Sequence, residues 1–129
     1  MYLLDTDIAI FAIRGNKTVL QRLGNLAPSQ WRISTITVFE IQKGIEAHPT
    51  SRSSVKAQLF LATVESVKFD SRASDQAAKV FHILKLKGRT IGTADELVAG
   101  HALSMRATLV TNNIKHFQQV PGLKVESWL

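Results

Sequence analysis

Asp5, Asp7, Glu40, Asp95 and Asn113 are the polar side chains whose positions in this 129-residue chain could do chemistry. Asp5 and Asp7 interrupt the run YLLDTDIAIF, Tyr2 to Phe11, which is otherwise almost wholly apolar. Val/Ile/Leu-rich runs read as strands buried on both faces, and an uncompensated carboxylate there is costly. Acids brought together from distant segments repel one another unless a cation neutralises them. The chain has no cysteine, so thiolate ligands and thiol nucleophiles are excluded, as are disulfides. Oxygen ligands of this kind suit Mg²⁺ or Mn²⁺, with water filling the remaining positions. A cation so held polarises a phosphoryl oxygen and lowers the pKa of a water for in-line attack.

Segments of opposite period must position these residues. Tyr2 to Leu4 read as a short buried strand, with a helix beginning near Asp5 to Asp7. Val19, Leu20, Leu23 and Leu26 mark a second helix, closed by Pro28. Trp31 to Ile33 read as a strand, after which Ser34 or Thr35 caps a helix carrying Val38, Ile41 and Ile45 on one face, together with Glu40. Val55, Leu59 and Val64 suggest a further helix. Val67 to Phe69 suggest a strand, and Ser71 opens a helix that stops at Gly88. Thr93 reads as the N-cap of a helix over Ala94 to Met105. Thr108 to Thr111 form a strand, with a last one at Leu123 to Glu126. Alternating strands and helices imply crossovers and a mostly parallel sheet covered on both faces. Such a sheet collects functional groups at the carboxyl ends of its strands, and Asp5, Glu40, Asp95 and Asn113 all fall there.

Each of these residues also has a structural explanation. Asp5 and Asp7 suit a helix first turn. Asp95 belongs to the capping pattern Thr93-Ala94-Asp95-Glu96, in which Glu96 better fits the reciprocal cap. Glu40 can pair with Lys43 along its helix, and Asn113 suits a turn. What joins them is their common sheet edge.

The 45% hydrophobic content and mean hydropathy of +0.04 fit one packed domain spanning 1–129. No apolar run reaches the roughly 18 residues that span a bilayer, and no secretory signal pattern opens the chain. No membrane partner and a cytoplasmic location are therefore expected. A net charge of +6 and a pI near 10 favour polyanionic partners, nucleic acid foremost. Lys85, Lys87 and Arg89, with Arg14, Lys43 and Lys115, are candidates for phosphate contacts or a solvated charged face. His101 reads as a packed core residue and His116 as an idle loop histidine.

The blocks LLDTDI, TVFEIQKGIE, IGTADELVAGHAL and LVTNNIKHFQQVPGLKVESW, in order from Tyr2 to Trp128, resemble the PIN-domain family. More narrowly, they resemble the VapC-type toxins of bacterial toxin–antitoxin pairs. The resemblance implies a three-layer α/β/α fold on a central sheet of four to five strands. It also implies a Mg²⁺-dependent endoribonuclease that cuts a structured RNA such as tRNA and so inhibits translation. Such a protein is usually dimeric and is silenced by a small VapB-like antitoxin. Carried over by position, Asp5, Glu40 and Asp95 match the family's metal-binding acids. Asn113, in TNN, stands where many relatives carry an aspartate. His116 stands where relatives with the TNN form often carry an acid. Asp7 replaces the family's usual asparagine and is expected to cap the helix. The alternatives are a PIN-like module that binds RNA or a partner without catalysis, and a housekeeping RNA-processing nuclease.

Overall fold

The computed structural model describes Met1–Leu129. Five short strands form one parallel sheet: β1 (Tyr2–Leu4), β2 (Trp31–Ser34), β3 (Ser66–Val67), β4 (Thr108–Val110) and β5 (Lys124–Glu126). Their spatial order is β3-β2-β1-β4-β5. β1 is central and registers Leu4 against Ile33 on one side and Val110 on the other. The expected α/β architecture with a mostly parallel sheet is thus realised, and every pairing is parallel.

Alternation along the strands divides the interior into two cores. Leu3 and Leu109 face one core, with Val80, Leu84, Val98, Ala99 and Phe117. Leu4, Ile33 and Val110 face the other, with Ile8, Ala12, Val19, Ile41 and Trp128. Helices α1 (Thr6–Ile13), α2 (Lys17–Gly24), α3 (Thr35–Ala47) and α4 (Arg52–Thr63) supply the second core. Helices α5 (Ser71–Leu86), α6 (Thr93–Met105) and α7 (Ile114–Phe117) supply the first. Crossovers from β1 and from β4 therefore leave toward opposite faces, which makes the β1–β4 junction the topological switch point, where crevices form.

Helix α6 lies close against α5. A Cβ built on Gly100 would collide with the Ala77 backbone, so only glycine permits this approach. No helix is long and apolar enough to cross a membrane.

Several expectations are corrected. Helix α2 ends at Gly24 with Asn25 as its C-cap, and Pro28 instead opens a 3-10 turn, Pro28–Gln30. Strand β3 is shorter than expected, whereas α5 does open at Ser71, capped by Asp70, whose carboxylate accepts from the Ala73 N–H. The N-cap of α6 is Gly92 at φ +98°, without a side-chain cap, so Thr93 is the first helical residue. Helix α4 buries Ser54 and Ala57 and leaves Val55 and Leu59 exposed, because its small residues are what fit against α1 and α3. The four-residue helix α7 was not expected at all.

Candidate active site

The switch point is where the first carboxylate lies. Asp5 directly follows β1, and its N–H donates to the Val110 carbonyl (2.8 Å), extending the ladder by one residue. It is also the N-cap of α1: Oδ1 accepts from the Thr6 N–H at 2.9 Å. Oδ2 accepts from the Thr111 hydroxyl at 2.8 Å. Thr111 directly follows β4, so the two strands flanking the switch point each send one side chain to this bond. Asp5 is only 7% exposed. Burial, and next the Asp7 charge, push its carboxyl up to about 7, against the hydrogen bonds from Thr111 and Thr6.

Asp7 is not the cap. Its Oδ2 accepts from the Asn112 N–H at 3.0 Å and lies 3.5 Å from the Thr111 hydroxyl, while Oδ1 accepts from the Ile8 N–H. It therefore ties α1 to the loop after β4. Burial raises its carboxyl, and the Asn112 and Ile8 donors oppose that rise. Asp5 and Asp7 share one hydroxyl and one electrostatic field, contrary to the reading of Asp7 as a helix cap.

Glu40 reaches the same end from α3. Its Oε1 accepts from the Thr6 hydroxyl at 2.7 Å, and that hydroxyl lies 3.2 Å from Thr37 Oγ1. Lys43, its alternative partner, instead lies over the Phe39 ring at 5.0 Å.

Asp95 sits in the first turn of α6 and is partly exposed. Its Oδ2 meets His116 Nδ1 at 2.8 Å. Burial pushes its carboxyl up and the facing imidazole pulls it down; Glu40 and Asp7 add to the rise. His116 therefore faces Asp95 and is not the free loop residue expected. Glu96 is buried, and burial followed by the Asp95 charge raises its carboxyl. It makes no reciprocal cap.

Asn113 is the N-cap residue of α7, but its side chain makes no cap hydrogen bond. Its backbone N–H donates to Thr111 Oγ1 at 3.0 Å. His101 is a core residue, as expected: 1% exposed, Nδ1 2.8 Å from Ser34 Oγ, ring edge-on to Phe69.

The acids thus lie toward one sheet edge, where neighbouring carboxylates add to the rise of Asp5 and Asp95, but no three acid or imidazole side chains converge as a ready-made cation cage. The donor set still fits Mg²⁺, which keeps several waters and takes one or two carboxylates directly. Arg14, Lys43, Lys85, Lys87, Arg89 and Lys115 are exposed. Of the 16 Lys and Arg residues, only Arg32 is ion-paired, with Glu65.

Comparison with known proteins identifies the family. The PIN domain family profile matches residues 2–123. The tRNA(fMet)-specific endonuclease VapC of Salmonella typhimurium is 31% identical over 128 residues, covering 98% of this chain and 97% of that protein. Ribonuclease VapC2 of Rickettsia felis is 33% identical over 136 residues, covering 99% and 98%. The crystal structure of VapBC2 from Rickettsia felis bound to a promoter DNA fragment superposes with a TM-score of 0.91 at 34% identity, covering 99% of this chain and 98% of that one. The chain belongs to the PIN-domain family and groups there with the VapC proteins.

Proposed function

We propose that this chain is a divalent-metal-dependent endoribonuclease toxin of the VapC kind, with residues 1–129 acting as one PIN-like domain. The observation that carries this reading is the gathering of Asp5, Asp7, Glu40 and Asp95 at the β1–β4 switch point, each from a different contact. The names of the relatives support the activity: two similar full-length proteins are a ribonuclease and a tRNA endonuclease.

In this proposal Asp5, Glu40 and Asp95 hold Mg²⁺, with Mn²⁺ as a substitute, one or two of them directly and the rest through water. A bound cation supplies charge neutralisation at the phosphoryl oxygen and a more acidic water. Thr111 and the Thr6 N–H fix the Asp5 carboxylate, and Thr6 Oγ1 fixes Glu40. Asn113 contributes its backbone N–H to the Thr111 hydroxyl. The unpaired exposed cations steer the RNA backbone toward the acids. The substrate class is a structured RNA such as tRNA, and its cleavage inhibits translation in the cytoplasm.

A small VapB-like antitoxin is the proposed inhibitory partner, supported by the VapBC complexes among the similar structures. A groove beside Glu40, floored by Ile10, Ile13, Ile41 and Ile45 and edged by Arg14, suits an amphipathic acidic segment. Exposed Phe39, Leu59, Phe81 and Leu86 fit a protein that covers its surface with partners, including a second copy of itself.

The test uses protein purified free of antitoxin and a mixture of structured RNAs. Cleavage is expected with Mg²⁺ or Mn²⁺, and is lost with chelator and in Asp95→Asn. A silent PIN-like binding module is the second reading, favoured by the engagement of Asp95 with His116. It predicts RNA binding without turnover at any metal concentration.

A further inference from the structure

His116 is the site residue with no assigned task. It stands on α7, whose position is fixed by Phe117, fully buried in the core and edge-on to the His116 ring at 5.9 Å. Its Nδ1 is buried and makes no aligned hydrogen bond, and Asp95 Oδ2 lies 2.8 Å from it. Asp95 in turn has no other side-chain partner, whereas Asp5, Asp7 and Glu40 each accept from hydroxyl or backbone donors. A half-exposed carboxylate on a helix first turn would otherwise sample several rotamers. The contact also joins two separate elements, because Asp95 arrives on α6 and His116 on α7.

We propose that His116 is a positioning residue: its Nδ1–H holds Asp95 Oδ2 and so orients that carboxylate toward a divalent cation. The proposal places the proton on Nδ1, since a carboxylate only accepts. An imidazole does this without adding negative charge. That matters where Glu40 and Asp7 already oppose ionisation of Asp95, because an acid here would add to the repulsion. The chain therefore uses a hydrogen bond where a fifth carboxylate could have stood. Groups of this kind, one step removed from the cation, typically set metal affinity by about 10–100-fold. The inference rests on the reading of Asp95 as a cation ligand.

The test is Mn²⁺ affinity, measured by calorimetry and Mn²⁺ electron paramagnetic resonance, on the wild type and four variants. His116→Ala should weaken binding by about 10-fold or more. His116→Asn should recover most of that loss, because its amide nitrogen stands in for Nδ1. His116→Gln should not, because its amide nitrogen stands in for Nε2. Recovery by Gln and not Asn, or wild-type affinity in His116→Ala, overturns the proposal. Asp95→Asn separates the two readings. If it binds Mn²⁺ like the wild type, Asp95 is no ligand and both fail; if it loses Mn²⁺ while His116→Ala does not, only the positioning role fails. Imidazole nitrogen NMR on the unmodified protein gives a check independent of mutation. Protonated Nδ1 and unprotonated Nε2 are expected, and the reverse tautomer contradicts the proposal.

Discussion

Asp5 is 7% exposed and held by Thr111, by the Thr6 N–H and by the end of the β1–β4 ladder, whereas the Asp95 side chain is 31% exposed and meets only His116. Both are carboxylates near the head of a helix, yet one is fixed by strands and the other by a single imidazole. The strand-held half carries the larger electrostatic cost, with its carboxyl pushed up to about 7. The helix-held half keeps adjustable geometry and a partner that lowers its carboxyl. Rigid placement in a parallel sheet thus comes with desolvation, and the protein leaves the second acid where water and a neighbouring side chain can tune it.

The sharpest way to break this contrast is through pH. A carboxyl raised in the folded state binds its proton more tightly there than in the unfolded chain. Its contribution to stability is therefore full below about pH 4 and is lost as the pH rises toward 7. For Asp5 the loss is on the order of 4 kcal/mol, from its rise above 3.8 to about 7. Asp7, Asp95 and Glu96 are also raised and act in the same direction. His101 acts oppositely: burial lowers its imidazole, so its share is present above about pH 6.5 and is lost on acidification. In chelator, Asp5→Asn, which preserves an effective N-cap, should show a flatter slope between pH 5 and 8. It should also be more stable than the wild type at pH 8. Denaturant titrations across that range measure both, and an unchanged slope would mean that Asp5 is not the costly half.

Thr111→Val probes the same half with a smaller expected effect. It removes a buried donor to a carboxylate, a bond worth about 1.5–3 kcal/mol when the acceptor is charged. Stability at pH 8 should fall by about that amount, Mn²⁺ affinity should fall with it, and Thr111→Ser should restore both. Equal stability in Thr111→Val and wild type would remove the hydroxyl from the account.

Asn113→Ala should have the smallest effect, within about 0.5 kcal/mol, since no side-chain bond is lost. RNA cleavage should be unchanged. A strong loss of cleavage would show that its amide takes part, as its position in the TNN segment first suggested.

How much of this was legible depends on whether sequence spacing or tertiary contact carries the information. The strands β1, β2 and β4, the helices around Glu40 and Asp95 and the placement of the acids at one edge all follow from apolar periodicity, because each element is covered on a predictable face. The role of Asp7 was not legible, because it depends on the Asn112 N–H, a loop donor more than a hundred residues away in sequence. His116 was misread for the same reason: a four-residue helix has too little periodicity to be seen, and its contact with Asp95 is purely tertiary. Thr6 and Thr111 left a faint signal, as hydroxyl residues placed at strand ends beside an acid. The exposed Val55 and Leu59 misled because periodicity finds an apolar face without saying whether the protein's own core covers it.

The central claim is that the strand-held acid is built for a cation. The direct measurement is the melting temperature of the wild type and Asp5→Asn with and without Mn²⁺ at pH 7.5. At about a hundredfold excess over Kd, the wild type should rise by on the order of 10 °C and Asp5→Asn by much less. An equal rise in both proteins would contradict the account.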